Sequence, residues 1–247
     1  MKILVACEES QAVTNELRKL GHEAYSCDII EGSGGHPEWH IMQDVLPLLN
    51  PHYIEDVCEQ DRCNGIEFCT CDKEYHFVAR WDMIIAFPPC TYMSNAGACR
   101  MFPHKGQIDN ERFAKAMQAK EFFMAFYNAD CERICIENPV PLSIVGLPKK
   151  TQVIQPYEFG HPYTKKTYLW LKGIPKLKPT NIVNPVGPYV CGNSEIWKKQ
   201  AANGIVYGKE KSAKHRSKTF YGIAKAMAEQ WAGDINANDY ETTKSEP

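Results

Sequence analysis

The first 28 residues constrain the fold more than any other part of the chain. Lys2–Ala6 is a short apolar run that reads as a β-strand. Gln11–Leu20 reads as a helix, with Val13, Leu17 and Leu20 at helical spacing and Gly21 as its stop. Glu23–Asp28 reads as a second strand and ends in an acid. Strand, helix, strand in so short a span is the opening of a doubly wound α/β sheet. Ligands in such sheets sit at the carboxyl ends of the strands, where Cys7-Glu8-Glu9-Ser10 and Asp28 lie.

The pattern continues along the chain. Gly32-Ser33-Gly34-Gly35 is a loop, and His40–Asp44 a third strand with Asp44 at its end. Trp81–Ala86 is a fourth strand, Gly97–Asn110 a loop, and Arg133–Glu137 a fifth strand. Between the last two, Asn110–Asn128 is the strongest helix, with Phe113, Met117, Phe123 or Met124 and Tyr127 on one side. After residue 140 prolines crowd in and interrupt regular elements. Tyr168–Leu171 still reads as a strand. Gly222–Trp231 is a final helix with Ile223, Met227 and Trp231 spaced by four, followed by a polar tail from Gly233.

A chain of 247 residues suits one α/β domain with an embellishment. No run of about 18 apolar residues is present, so no membrane span is expected. The short apolar run at the start meets Glu8-Glu9 at once and reads as a strand, not a signal peptide. Eleven cysteines, an odd number, read as reduced thiols of a cytoplasmic protein.

Two strand ends carry the chemistry. Phe87-Pro88-Pro89-Cys90-Thr91 follows the fourth strand, and Glu137-Asn138-Pro139-Val140 closes the fifth. A cysteine held on a Pro-Pro turn is a candidate nucleophile, and a carboxylate on a nearby strand end is a candidate acid beside it. Together they suit covalent attack on an electron-poor ring with proton assistance.

At this point the sequence resembles the cytosine-C5 methyltransferases, and more narrowly their short phage and bacterial members. Pro88-Pro89-Cys90 with Ser94 matches the nucleophile motif, and Glu137-Asn138 the second catalytic motif. Gly160-His161, Thr164-Lys165 and Arg216-Ser217-Lys218-Thr219 resemble segments of the short branch. The resemblance implies a Rossmann-like, S-adenosylmethionine-dependent methyltransferase sheet with helices on both faces. It implies Cys90, Glu137 and Asn138 as catalytic residues. It implies Cys7, Glu8, Ser10, Asp28, Asp44 and Pro88 on the cofactor, the two aspartates where family acids hold ribose and adenine. It implies Ser94, Thr164, Lys165, Arg216 and Lys218 on the substrate.

The chain departs from the family pattern in three places. Thr91 stands where larger enzymes carry Gln, and Phe87 where they carry Gly. The first loop lacks Gly-x-Gly. The target-recognition region is reduced to residues 171–215.

The domains expected are a methyltransferase core over 1–148 and 216–232, a small basic substrate-facing lobe over 149–215, and a tail over 233–247. A Cys-rich insertion at about 50–80 holds Cys58, Cys63, Cys69 and Cys71. These four thiols could form a tetrahedral zinc site, although the spacing is not that of two Cys-x-x-Cys pairs. The alternative is an insertion of reduced cysteines.

Net charge is only −2, but residues 149–218 carry 14 Lys and Arg against three Glu, giving +11. With aromatics interleaved, such a segment favours a polyanion, DNA first. Two other readings stay open. One is C5 methylation of a free pyrimidine nucleotide or of RNA, and the other a non-catalytic methyltransferase-like nucleic-acid-binding protein.

Overall fold

Alternation along the apolar strands decides which helices cover which face. In β1 (Lys2–Ala6), Ile3 and Val5 join one buried cluster while Leu4 and Ala6 join the other. In β6 (Met83–Ala86), Met83 and Ile85 divide from Ile84 and Ala86 in the same way. Strands buried on both faces read as continuous hydrophobic runs, which is the signature of a parallel sheet.

The computed structural model describes residues 1–50, 52–55, 75–78, 80–189 and 218–233. The remaining elements in chain order begin with α1 (Ala12–Lys19), β2 (Glu23–Asp28), β3 (His40–Met42), β4 (His52–Glu55) and β5 (Tyr75–Val78). After β6 come α2 (Ala98–Met101), α3 (Asn110–Tyr127), β7 (Ile134–Pro139) and β8 (Gln152–Ile154). The series ends with β9 (Tyr163–Thr164), β10 (Thr167–Lys172), β11 (Gly187–Pro188) and α4 (Tyr221–Trp231).

Seven strands form one sheet in the order β3-β2-β1-β6-β7-β10-β8. The first five are parallel, and β10 runs antiparallel to both β7 and β8. Helix α3 packs on one face through Ala116, Phe123 and Phe126, and α1 and α4 pack on the other. This is the Rossmann-like α/β sheet with helices on both faces that the sequence predicts.

Helix α1 stops as expected. Gly21 takes φ +85° and its N–H donates to Arg18 O, while His22 N–H donates to Leu17 O. In α4, Ile223, Met227 and Trp231 are buried as their spacing predicts. Each such side chain contributes about 1.5–3 kcal/mol by leaving water.

Two expectations need correction. The inward face of α3 is Ala116, Phe123 and Phe126 rather than a stripe through Met117 and Tyr127, and Tyr127 is exposed. The loop after residue 97 contains the one-turn helix α2. Beyond residue 149, β8 and β10 complete the seven-stranded sheet. The prolines of this region sit in the connections around these strands and leave the β10 ladder intact.

The expected insertion opens and closes on an antiparallel ladder, β4 with β5, registered from His52↔Val78 to Glu55↔Tyr75. Cys58, Cys63, Cys69 and Cys71 lie outside the described residues, as does Arg216. Among the described residues no cluster of three His, Cys, Asp or Glu could hold a metal. No helix among them is long and apolar enough to cross a membrane.

Candidate active site at the carboxyl ends of the central strands

Strand order reverses between β1 and β6, so the connections leaving them diverge and open a crevice at their carboxyl ends. Phe87 N–H donates to Ala6 O at 2.9 Å and closes the last rung there. Pro88 and Pro89 then offer no N–H, and the ladder cannot continue. The chain turns, with Pro88 buried and Cys90 partly exposed. The Cys90 carbonyl accepts from Met93 N–H at 3.1 Å and Ser94 N–H at 2.9 Å, which fixes the cysteine at the head of a tight turn.

The two motif loops are fastened together. Asn138 is fully buried, and its Nδ2 donates to Pro88 O at 3.0 Å. Beyond it, Asn95 N–H donates to Val140 O at 2.8 Å and Leu142 N–H to Met93 O at 2.7 Å. Removing the amide would leave a buried carbonyl unmatched between the loops. The other amide atom, Oδ1, has no hydrogen-bond partner among the described residues.

Glu137 stands at the end of β7, registered against Leu169 of β10. Burial raises its pKa above the usual carboxylate value, and the nearby Lys165 ammonium partly offsets this. A pocket beside it is lined by Phe87, Glu137, Lys165, Thr219, Phe220 and Ile223. Lys165 belongs to the turn between β9 and β10, and its own N–H donates to Gln155 Oε1 at 2.9 Å. A partly buried acid whose pKa is raised by burial and restrained by a nearby cation is suited to exchange a proton with a ring nitrogen.

On the other side of the crevice, Cys7 ends β1 in the left-handed region, at φ 58°. Gln11 does the same at φ 53°. These two residues make the bends for which other chains would use glycine. Burial raises the Cys7 thiol well above its ordinary value, and Asp28, Cys27 and Asp44 add to the rise. Cys7, Asp28 and Asp44 therefore share one neighbourhood. Asp28 Oδ1 accepts from Ile30 N–H at 3.4 Å, and Asp44 Oδ1 from Leu46 N–H at 3.1 Å, which orders both turns.

Next to these acids Ile29 is 75% and Met42 63% exposed. Exposed apolar side chains beside ordered carboxylates suit a ring carrying hydroxyl and amino groups. The sequence reading passed over Ile29 and Met42. Their signal is an apolar residue just beyond, or at the tip of, a strand that already ends in an acid.

Glu8 caps the first helix. It is buried, and its carboxylate accepts from Val13 N–H (2.6 Å), Thr14 N–H (3.2 Å) and Thr14 Oγ1 (2.7 Å). Gln11, at the N-cap position, makes no side-chain cap, so Glu8 caps α1 in its place. Ser10 lies in the same loop, against which Gly34 packs so closely that an added Cβ would meet Gln11 Cβ at 2.3 Å. Ser33 N–H donates to Glu9 O at 2.8 Å, so the Gly-rich loop lies over the first loop.

The expected substrate residues are divided. Ser94 is buried and bridged to Pro141, as part of the frame that holds Cys90. Thr164 pairs with Pro188 in the small β9–β11 ladder. Lys165 joins Glu137, whereas Lys218 Nζ reaches Ser33 Oγ at 3.3 Å, above the first loop. Arg112, whose Nη2 donates to Thr91 O at 2.8 Å, was missed in the sequence, and His161, marked there only by resemblance and with no role, accepts from Gly222 N–H at 3.0 Å. Neither lies at a strand end, and no local spacing distinguishes them.

No protein-family model matches the chain, and no curated protein matches it. Among solved structures, one match is a protein described as a DNA modification methyltransferase encoded within a prophage, from E. coli. It shares 12% identity at a TM-score of 0.38, covering 79% of this chain and 56% of that one. The present chain thus spans little more than half of that protein's length.

Proposed function

We propose that the chain transfers a methyl group from S-adenosylmethionine to carbon 5 of cytosine in DNA, through a covalent adduct on Cys90. The single observation that carries this reading is the Asn138–Pro88 hydrogen bond. It couples a cysteine turn to a partly buried acid on the adjacent strand, which is the pairing that ring activation needs.

Carbon 5 of cytosine is too weak a nucleophile to take a methyl group unaided. The Cys90 thiolate would add its lone pair to carbon 6, and the displaced π electrons would make carbon 5 electron-rich. Glu137 would donate its proton to ring nitrogen 3 and so neutralise the charge that develops there. Its raised pKa, caused by burial, supports that donor role. Lys165 would limit the rise and stabilise the carboxylate left behind. After transfer, loss of the carbon-5 proton re-forms the double bond and expels Cys90, and the proton returns from nitrogen 3 to Glu137. A base in duplex DNA must first leave its stack, which costs a few kcal/mol.

The crevice fits the cofactor. Asp28 and Asp44 offer ordered acceptors, Ile29 and Met42 offer apolar surface, and Cys7 turns the chain away beneath them. S-adenosylmethionine would supply an electrophilic methyl group there.

The test is transfer of labelled methyl groups to unmodified DNA by wild type and Cys90→Ala. Label in 5-methylcytosine with the wild type, and none with the variant, is the expected result. Label in adenine, or label in cytosine that persists in the variant, would overturn the mechanism. Label only in RNA or free nucleotide would overturn the DNA assignment.

A further inference from the structure

We propose that His161 is a positioning residue: it docks the returning segment Thr219–Gly222 beside Glu137 and Lys165, and its protonation releases that segment. The proposal rests on the reading of Glu137 as the acid of the site.

The first N–H groups of a helix have no partner within it. Phe220, the N-cap of α4, supplies no side-chain acceptor. The acceptor comes from elsewhere in the chain: Gly222 N–H donates to His161 Nε2 at 3.0 Å. Gly222 is fitted to this contact, since a Cβ there would lie 2.0 Å from Phe159 O. Only glycine lets the start of α4 approach the 159–161 turn so closely.

The docked segment forms a wall of the pocket. Thr219 and Phe220 line it together with Glu137 and Lys165. Phe220 lies against the His161 ring (centroids 4.9 Å apart) and the Tyr189 ring (4.7 Å), and Lys165 Nζ sits 5.8 Å from its centroid. A shift of the segment therefore moves the groups that flank the acid.

The contact depends on protonation state. Neutral imidazole accepts through Nε2, whereas imidazolium has no lone pair to offer. The charged ring would also face the positive end of the α4 dipole. Burial holds the His161 pKa below its ordinary value of 6.5, which keeps the acceptor form at neutral pH. The titratable and charged groups that meet it through Phe220 are Lys165 and Glu137 in the pocket and Tyr189 with Tyr163 in the ring stack. Glu158 lies in the preceding turn, where its carboxylate accepts from Gln155 N–H. Tyr221 follows on α4, with Lys19 Nζ 5.8 Å from its ring.

The test combines a structural and a catalytic readout on the full chain. In 15N-labelled wild type, the Gly222 amide resonance should titrate with the same midpoint as the His161 imidazole. In His161→Gln, whose amide oxygen accepts without titrating, that inflection should vanish while kcat stays within about threefold. In His161→Phe, kcat should fall about tenfold or more with cofactor Kd unchanged, since misplaced flanking groups slow the chemical step. A Gly222 resonance indifferent to His161 titration would overturn the proposal, as would a His161→Phe variant with wild-type kcat and pH profile. If the wild type methylates nothing, the proposed function fails, and the coupled titration still decides the role of His161.

Discussion

Arg112 belongs to α3 yet acts on the loop that carries Cys90. Its Nη2 donates to Thr91 O, and its Cζ lies 5.1 Å from the Tyr92 ring centroid. Gly97 makes room for it, since a Cβ there would stand 2.7 Å from Nη2. Lysine cannot reproduce a planar donor that bonds a carbonyl and stacks on a ring together. We predict that Arg112→Lys loosens the turn after Cys90 and lowers stability by about 1 kcal/mol. Exposed Cys99 in α2 gives an internal reference. The Cys90:Cys99 alkylation ratio, read by peptide mass spectrometry, should rise in the variant, and an unchanged ratio would remove Arg112 from the frame.

Glu8 gives a second prediction at this scale. Burial raises its pKa from 4.5 to about 7, against the opposing pull of the Val13 and Thr14 donors. Between those two values the folded state keeps a proton that the unfolded chain has lost. The Glu8 contribution to stability therefore falls as pH rises from 4.5 to about 7. Measured by urea unfolding, the stability of wild type relative to Glu8→Gln should decline across that window, by at most about 1.4 kcal/mol per pH unit. It should be flat on either side. A flat difference throughout would mean that the cap is ionised at all these pH values.

At the scale of elements, the connection out of β10 passes close to the start of β7. Gly173 takes φ +65°, and a Cβ there would lie 1.9 Å from Glu132 O, just ahead of β7. Gly106 takes a similar φ of +77° with open space around it. Gly106→Ala should cost about 1 kcal/mol for the left-handed backbone alone, and Gly173→Ala at least about 2 kcal/mol more. Thermal unfolding of the pair isolates the steric part, and equal losses would show that the β7–β10 approach yields easily. The strands and helices with strong periodicity were legible in the sequence: β1, α1, β2, β6, α3, β7, β10 and α4. Short β8 was not, because three residues among prolines carry no period. Cys90, Glu137 and Asn138 could be picked out because a motif at a strand end has a local signature. The capping role of Glu8, the reach of Arg112 and the docking of Gly222 on His161 were hidden. Each depends on where a side chain meets backbone from another turn or element, which spacing along the chain does not encode.

At the scale of the whole molecule, charge is divided along the sequence. Residues 149–218 carry +11, so the remainder of this −2 chain carries −13. Within the described part of the basic stretch, Lys165 lies beside Glu137, and Lys218 Nζ reaches Ser33 of the Gly-rich loop. A strand of DNA presented to Cys90 would meet these cations. Phosphate neutralisation releases counterions, so affinity should fall linearly with salt on a log–log plot, with a slope near −0.9 per contact for duplex DNA. About six contacts would lower affinity roughly a thousandfold between 50 and 200 mM salt. Fluorescence anisotropy with a labelled duplex gives the slope, and Lys218→Gln should reduce its magnitude by about 1. A shallow slope would mean that the basic stretch does not follow a phosphate backbone. The same catalytic frame would then suit a single nucleotide better than a polymer.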